Sequence, residues 1–596
     1  MAAKTWKKWL RSLRGFEWTY FLYLTVFIGF AFLIIELAFA SSRITFDEFE
    51  HLHAAWLVHD GKLPYRDFFE HHTPLIWYTF APLFDSYHDT IAVADTGRYI
   101  MLSLSLLCLL LLYDIGRQYH GHIGSMLAVI FLMTQHDFVV SAVIIRPMMI
   151  VMLLWLAGLR LTLYSIKNGG RRLPLFAAGI LAGVAFGYHQ SAAILWAALP
   201  ASVLAHKMYA RRRIRVRWEY VADTAASAAG FAIPILALLW FFHANNALGD
   251  FIFYNITLNA KVNAPNMLKR LMELSFFSND TGFWLLGLSG ITLWLLRLRN
   301  GRLDAMKVPL LTSVFFGFLF LFPNAIMHHH RIVPLAALAA IAAVDVVRAA
   351  YNTVVASKHD ASATLIAVVL AYTLVASVAN PIFNLSWYSN HTAAFEVLGS
   401  REGQEKALNF IWDITAPRDT VFDFSGMHIF RKDAYKTWFF FDYTGGYSVM
   451  NTSHYKDLPT YLSKTAPKVA VLNSDMMTLS KKNLQFIGDN FQCAMRYEDA
   501  WEKEVMVLVA SKTIDQNAIT KKCGRFTILA TGEYDVITDV PMKIAVDGRT
   551  VKKTVFLKKG PHTIKAACGC IGDVTFTLHH PPVEEKYSCR GYWKTP

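Results

Sequence analysis

Charge is scarce in this sequence: Asp, Glu, Lys and Arg make up 17% of its 596 residues, against 54% hydrophobic residues and a mean hydropathy of +0.32. A soluble globular chain carries roughly 25% charged residues, and disorder requires low hydrophobicity, so both classes are excluded. No repeat or low-complexity tract interrupts residues 395–515 or 524–580. No DNA- or RNA-binding motif accompanies the excess of 58 Lys and Arg over 44 Asp and Glu, so the net charge of +14 calls for a different explanation.

What is abundant is the long apolar run. Residues 19–40 hold a single charge, Glu36, and are long enough to cross a bilayer core. Lys4, Lys7, Lys8, Arg11 and Arg14 precede them, which places the N-terminus in the cytoplasm by the positive-inside rule. With no convincing cleavage site before a soluble domain, the run reads as a retained helix rather than a signal peptide. Further runs near 92–112, 123–141, 147–165, 174–188, 191–206, 222–243, 281–297, 308–323, 332–348 and 362–380 bring the expected number of spans to about eleven. Basic residues gather in the segments this count puts inside, such as Arg117, Lys167 to Arg172, the stretch 207–218, Arg297 to Lys307, and Arg348 with Lys358. The outer loop 41–90 has only Arg43, Lys62 and Arg66 against eight acids. The basic excess thus reflects orientation and contact with membrane lipids, with no nucleic-acid partner.

After Pro381 the sequence becomes mixed and rich enough in Val, Ile, Phe and Tyr to build a core outside the membrane. The expected fold is a polytopic α-helical membrane protein with a C-terminal extracytoplasmic α/β plus β-sandwich-like domain. Residues 1–380 form the membrane part, with 41–90 as its first outer loop. Residues 381–517 combine a helical stretch with VFDF, KVAVLN and VMVLVA, and 518–596 read as short antiparallel strands, with Asp547-Gly548 marking a hairpin. Cys108 sits in a span, whereas Cys493, Cys523, Cys568, Cys570 and Cys589 lie in the outer part, where disulfides are favoured over metal binding.

The outer loop carries the chemistry. Residues 46–84, FDEFEHLHAAWLVHDGKLPYRDFFEHHTPLIWYTFAPLF, are acidic, rich in histidine and studded with aromatics. Helical spacing over 47–58 puts Asp47, Glu50 and His51 on one face and turns Glu48 about 100° away. Carboxylates beside imidazoles are acid-base equipment; the competing reading is the solvated face of an interfacial helix.

Asp47-Glu48 soon after the first span, followed by Gly61-Lys62-Leu63-Pro64-Tyr65-Arg66-Asp67-Phe68-Phe69-Glu70-His71-His72-Thr73-Pro74-Leu75, resembles the first outer loop of bacterial type C (GT-C) glycosyltransferases. The groups meant are the protein O-mannosyltransferases (glycosyltransferase family 39) and the lipid A aminoarabinose transferases. The resemblance covers the order of elements in the membrane half and only the general plan of the outer domain. It implies an inverting transferase of the bacterial inner membrane that moves a sugar from a polyprenyl-phosphate carrier to an acceptor hydroxyl of an envelope glycan, lipid or protein on the outer face.

In that reading Asp47 is the base and Glu48 its support. The donor phosphate would meet Glu70, His71, His72, Lys261, His328, His329, His330 and Arg331, with Lys269 and Arg270 as further cations. Glu70 and His71 stand where the aminoarabinose enzymes have Glu-Lys, a departure that makes the phosphate contact pH-dependent. A divalent cation held by Glu70 with His71 or His72, or by the His triplet, is the rival use of these side chains; no other cofactor is implied. Arg146-Pro147 reads as a topological mark at the outer start of a span, and Tyr188-His189-Gln190 as an outer tip equally suited to loop structure or donor contact. A transporter or scaffold for the same lipid-linked glycan is the non-catalytic alternative; it would want charges within the spans, which are nearly free of them.

Overall fold

A computed structural model of the protein describes residues 43–211, 218–261, 280–321, 329–356, 401–436, 458–473, 479–498, 505–519, 524–567 and 572–589, with isolated helical positions at 25, 29, 31, 368, 371, 373 and 375. Apart from those isolated helical positions, the expected spans at 19–40 and 362–380 lie outside the described residues, as do Lys269, Arg270, His328, Cys523, Cys568 and Cys570.

The loop 46–84 opens with α1 (Phe46–His59), started by Thr45, whose hydroxyl accepts from Glu48 N while the Glu48 side chain accepts from Thr45 N at 2.9 Å. This reciprocal cap fixes where the helix begins. After it come α2 (Leu75–Phe80) and a long element, α3 (Ala92–Met133), broken at Gly121 (φ 68°). In a straight helix, residues 116 and 125 would be about 13 Å apart along the axis. Instead a Cβ on Gly116 would meet Ser125 Oγ at 3.1 Å, and the Tyr113 hydroxyl lies 2.5 Å from His122 Nδ1. The chain doubles back at Gly121, where glycine supplies the left-handed backbone, so the runs expected at 92–112 and 123–141 become two arms of a hairpin. The second arm stops at Met133, short of the expected end, because Gln135 accepts from Phe138 N and caps a separate helix, α4 (His136–Ser141).

Five helices follow the expected runs within a few residues: α5 (Pro147–Lys167), α6 (Arg172–Tyr188), α7 (Ala192–Arg211), α8 (Trp218–Ala244) and α9 (Thr281–Arg299). They are followed by α10 (Val308–Leu319) and α11 (Val333–Ala356). Among the described residues, five helices are long and apolar enough to cross a bilayer, and Arg172–Tyr188 and Ala305–Leu319 are shorter apolar helices. With no hydrophobic drive between helices in lipid, close backbone approach holds such a bundle together. At α6 and α8 it is extreme: a Cβ on Gly179 would sit 2.1 Å from Ser227 O, and one on Gly183 would sit 2.5 Å from Phe231 O.

Polar contacts divide between the two ends of the bundle. At one end Asp114 pairs with Arg117 and Arg160, Asp223 with Lys207 and Arg172, and Asp345 with Lys307, all involving the basic segments assigned above to one side. The other end holds the 43–91 loop, Arg146 and His189.

The C-terminal domain sits on that second end. Its helix α12 (Glu402–Ile414) precedes β1 (Thr420–Phe422), β2 (Lys432–Asp433), β3 (Val469–Leu472), β4 (Phe491–Tyr497), β5 (Val505–Ile514), β6 (Gly524–Ile528) and β7 (Gly532–Thr538). The remaining strands are β8 (Lys543–Val546), β9 (Arg549–Val551), β10 (Thr554–Leu557), β11 (Gly560–Ala567) and β12 (Val574–Leu578). One sheet runs β10-β7-β12-β5-β3-β1-β2, with β4 added to β5, and a second runs β6-β11-β8-β9. The pairing of β5 with β12, Ile514 opposite Val574, carries the first sheet across residue 517, where the sequence suggested a boundary. Phe526 of the second sheet and Phe576 of the first stack at 4.8 Å between ring centroids, so the two sheets touch there. A disulfide joins Cys493 to Cys589.

Docking of this domain on the loop is polar as well as apolar. Gln404 exchanges hydrogen bonds with the Ile44 backbone at 2.8 and 2.9 Å, Phe69 N donates to Lys436 O at 3.1 Å, and Arg431 grips Asp89 at 2.5 and 2.9 Å. Phe84 packs edge-on against Phe430. Residues 48–57 of α1 are buried as a result, so the helix is not the solvated interfacial helix of the competing reading.

Candidate functional site

α1 distributes its acids as its 100° spacing requires. Glu48 turns into the bundle: both of its oxygens bind Arg98, at 2.7 and 2.6 Å, and Ile145 N donates to it at 3.4 Å. Burial alone would raise this carboxyl, but the guanidinium outweighs it and holds Glu48 below its ordinary range. Arg98 also donates to Arg43 O at 2.7 Å, so the pair ties the entry and first turn of α1 to α3.

Asp47 keeps about a third of its side chain exposed and forms an ion pair with Arg146, Nε to Oδ2 at 2.6 Å. Arg146 is the residue immediately before α5, where Pro147 starts the helix. It reaches on to His330, Nη1 to Nδ1 at 3.4 Å. The sequence read Arg146 only as a topological mark; the structure makes it the partner of the proposed base. The available signal was a lone cation at the outer mouth of an apolar span.

Beside this pair lies a buried acid-histidine cluster. Glu50 faces His72 at 3.8 Å and His71 at 4.0 Å, while Glu70 is 4.0 Å from His71. Burial and the adjacent Glu70 carboxylate push Glu50 up strongly, and burial pushes Glu70 up to about 8, so the two carboxyls hold a proton between them near neutrality. Burial drives His72 down to about 4 and His51 to about 3, leaving both neutral. Trp77 Nε1 donates to His51 Nδ1 at 3.3 Å, which settles the tautomer of that ring.

The turn that presents His71 and His72 is held from several sides. Tyr65 has a left-handed backbone (φ 70°), unusual for an aromatic, and its buried ring packs against Trp77, Phe242 and Phe251 while its hydroxyl donates to His72 O at 2.5 Å. A π-helical turn at Ile252–Thr257 brings Asn255, and the following short helix Asn259, to His71 O at 3.5 and 2.8 Å. No motif pointed to these two amides. Lys261 ends that short helix, and His329 opens the turn before α11; their side chains are outside the described atoms, as is His328 altogether. Arg331 is fully buried, with Nη2 3.3 Å from His189 Nε2 and the ring of Phe320 5.6 Å away, and His189 lies 5.7 Å from His72 between ring centroids.

The structure thus links Asp47, Glu70, His71, His72, His330 and Arg331 through one set of contacts, called the basin below, adds Arg146, Glu50 and His189 to it, and turns Glu48 away into an anchoring pair. Glu50, His71 and His72 offer ligand atoms within 4.8 Å of one another. Among the described residues, Glu50 Oε1, Glu70 Oε1 and His72 Nδ1 are buried with no hydrogen bond. Such a donor set fits a divalent cation.

No family model matches the chain, and no curated protein matches its sequence. Solved structures do match. ArnT from Cupriavidus metallidurans, an aminoarabinose transferase, aligns with a TM-score of 0.51 and 13% identity in its undecaprenyl phosphate complex, over 82% of this chain and 97% of that one. Its apo state gives 0.51 and 12% over 83% and 98%. The oligosaccharyltransferase of Archaeoglobus fulgidus in the apo form is more distant, at 0.45 and 11% over 95% and 98%. The likeness to the type C glycosyltransferases read from the loop is therefore shown at the level of fold.

Proposed function

We propose that this chain is an inverting glycosyltransferase of the bacterial inner membrane, taking a sugar from a polyprenyl-phosphate carrier and placing it on an acceptor hydroxyl of an envelope glycan or lipid, with a protein hydroxyl as the competing acceptor. The observation that carries the reading is the Asp47–Arg146 pair: a partly open carboxylate whose partner guanidinium borders a basin containing Arg331, His189 and His330. A base at the edge of an anion site is what transfer from a phosphate ester needs. The shared fold with an aminoarabinose transferase solved with undecaprenyl phosphate supports the same carrier chemistry.

The acceptor oxygen attacks the anomeric carbon from the face opposite the phosphate, and the bond from that carbon to the phosphate oxygen breaks, inverting the centre. Asp47 takes the hydroxyl proton, a contribution worth about 10²–10⁴ in rate. The negative charge left on the lipid phosphate falls to Arg146 and Arg331, whose guanidinium groups suit two-point contact with phosphate oxygens, while neutral His72 supplies a further polar contact. A divalent cation held by Glu50, His71 and His72 would neutralise the same phosphate. In this topology the N-terminus is cytoplasmic and the outer domain lies on the far face with the basin beneath it.

Mass spectrometry of lipids co-purifying with Asp47→Asn, compared with wild type, tests the reading. An enzyme stalled before chemistry retains its donor, so a polyprenyl-phosphate sugar enriched in the variant is expected and would name the sugar. Equal amounts of an intact carrier-linked glycan in both proteins would favour a non-catalytic carrier-binding protein instead.

A further inference from the structure

A second cluster, sharing no residue with the basin, lies where α1 meets the outer domain. His53 comes from the third turn of α1; His428 and Asp433 come from the segment that docks on it. His53 Nε2 and His428 Nε2 each stand 3.0 Å from the same oxygen, Asp433 Oδ1, and the two rings are 4.2 Å apart between centroids. Both histidine side chains are wholly buried and Asp433 nearly so. The ligand atoms of the three lie within 4.8 Å of one another.

We propose that His53, His428 and Asp433 bind a divalent transition-metal ion of the zinc class, which pins the helix carrying Asp47 to the outer domain. The tautomers carry the argument. His53 Nδ1 lies 2.8 Å from Ile429 O and His428 Nδ1 lies 3.2 Å from Asp423 Oδ2, and both of those atoms only accept, so each Nδ1 bears the proton. A neutral imidazole then has only a lone pair at Nε2, and both lone pairs point at Asp433. An ionised Asp433 carboxylate has no proton to offer those lone pairs, whereas a cation seated among the three side chains takes a lone pair from each.

Geometry agrees with the second arrangement. Bonds of 2.0–2.1 Å in a tetrahedral site put neighbouring ligands about 3.3 Å apart, close to the 3.0 Å separations of both Nε2 atoms from Asp433. An outer shell in which one ligating histidine donates to a backbone carbonyl and the other to a carboxylate is the pattern that orients histidines on metals. Asp423 is itself held by Ser425 Oγ at 2.9 Å and Met427 N at 2.8 Å. Two imidazoles and a carboxylate suit zinc and its neighbours rather than calcium or magnesium, which prefer all-oxygen sites. With the ligands drawn from residues 53, 428 and 433, the ion would cross-link segments over 370 positions apart in sequence.

The test uses the full-length protein in detergent with a purification tag free of histidine. Samples are stripped with chelator, reloaded with one equivalent of zinc, dialysed and assayed for metal by mass spectrometry, alongside thermal unfolding. Wild type and Glu50→Gln are expected to keep about one zinc per chain and to unfold at a higher temperature with zinc than without. His53→Ala, His428→Ala and Asp433→Asn are expected to lose at least ten-fold in zinc retention and to show no zinc-dependent shift; Asp433→Asn preserves side-chain shape should the alanine variants fold poorly. Failure of wild type to retain zinc overturns the proposal, as does equal retention by Asp433→Asn. Loss in Glu50→Gln alone would also overturn it, because it would place the zinc in the basin.

Discussion

Arg146 Nε stands 2.6 Å from Asp47 Oδ2, joining the first residue before α5 to the first turn of α1 across the mouth of the basin. In the proposed reaction this one guanidinium would serve two anions in turn, the carboxylate before donor binds and the phosphate afterwards. Arg146→Lys keeps the charge but loses the planar two-point contact. Transfer assayed with the donor identified from Asp47→Asn should show a fall of roughly 10- to 100-fold for Arg146→Lys, on the order of 1.4–2.7 kcal/mol, divided between KM for donor and kcat. A rise in KM for acceptor alone would argue against this placement.

The Glu48–Arg98 pair predicts a stability effect rather than a catalytic one. Both side chains are fully buried, and removing one partner of such a pair costs about 3–5 kcal/mol because the other charge is left uncompensated. Glu48→Gln and Arg98→Met should each lower the unfolding temperature markedly in detergent. The double variant should recover part of the loss, since no lone charge then remains; a double variant as unstable as the sum of the two singles would refute the mechanism.

The paired carboxyls Glu50 and Glu70 predict how stability depends on pH. Their folded forms bind a proton more tightly than the unfolded chain does, so their contribution is fully present below the ordinary value of 4.5 and is lost as pH rises through about 8 for Glu70. Unfolding temperature measured from pH 5 to 9 in metal-free buffer should therefore fall across this range in wild type. Glu70→Gln removes one of the two charges that must be separated, and its profile should be visibly flatter.

Cys493 and Cys589 close a loop with a sequence separation of 96. Loops of that length restrain the unfolded chain, and losing such a bond costs about 2–5 kcal/mol. Cys493→Ala with Cys589→Ala should destabilise the outer domain, read as an earlier unfolding transition or faster proteolysis of that domain, while the helical content of the bundle is retained.

The apolar runs determined most of the bundle, because a bilayer core admits only segments whose backbone polar groups are satisfied internally; α5 to α11 begin within a few residues of runs legible as hydropathy alone, and all but α11, which continues eight residues past its run, end within a few residues of them. The 3.6-residue period likewise determined that Glu48 faces away from Asp47. The motif around Glu70, His71 and His72 was enough to indicate the type C fold. Which groups meet was decided only by tertiary structure. Arg146 lies 99 positions from Asp47, Asn259 lies 188 from His71, and His428 and Asp433 lie more than 370 from His53. Periodicity reports which face of one element a side chain occupies, but contacts between distant segments depend on how helices stack, where Gly121 reverses the chain and how the outer domain seats on α1. Those relations arise from packing over the whole molecule, and no local window of sequence contains them.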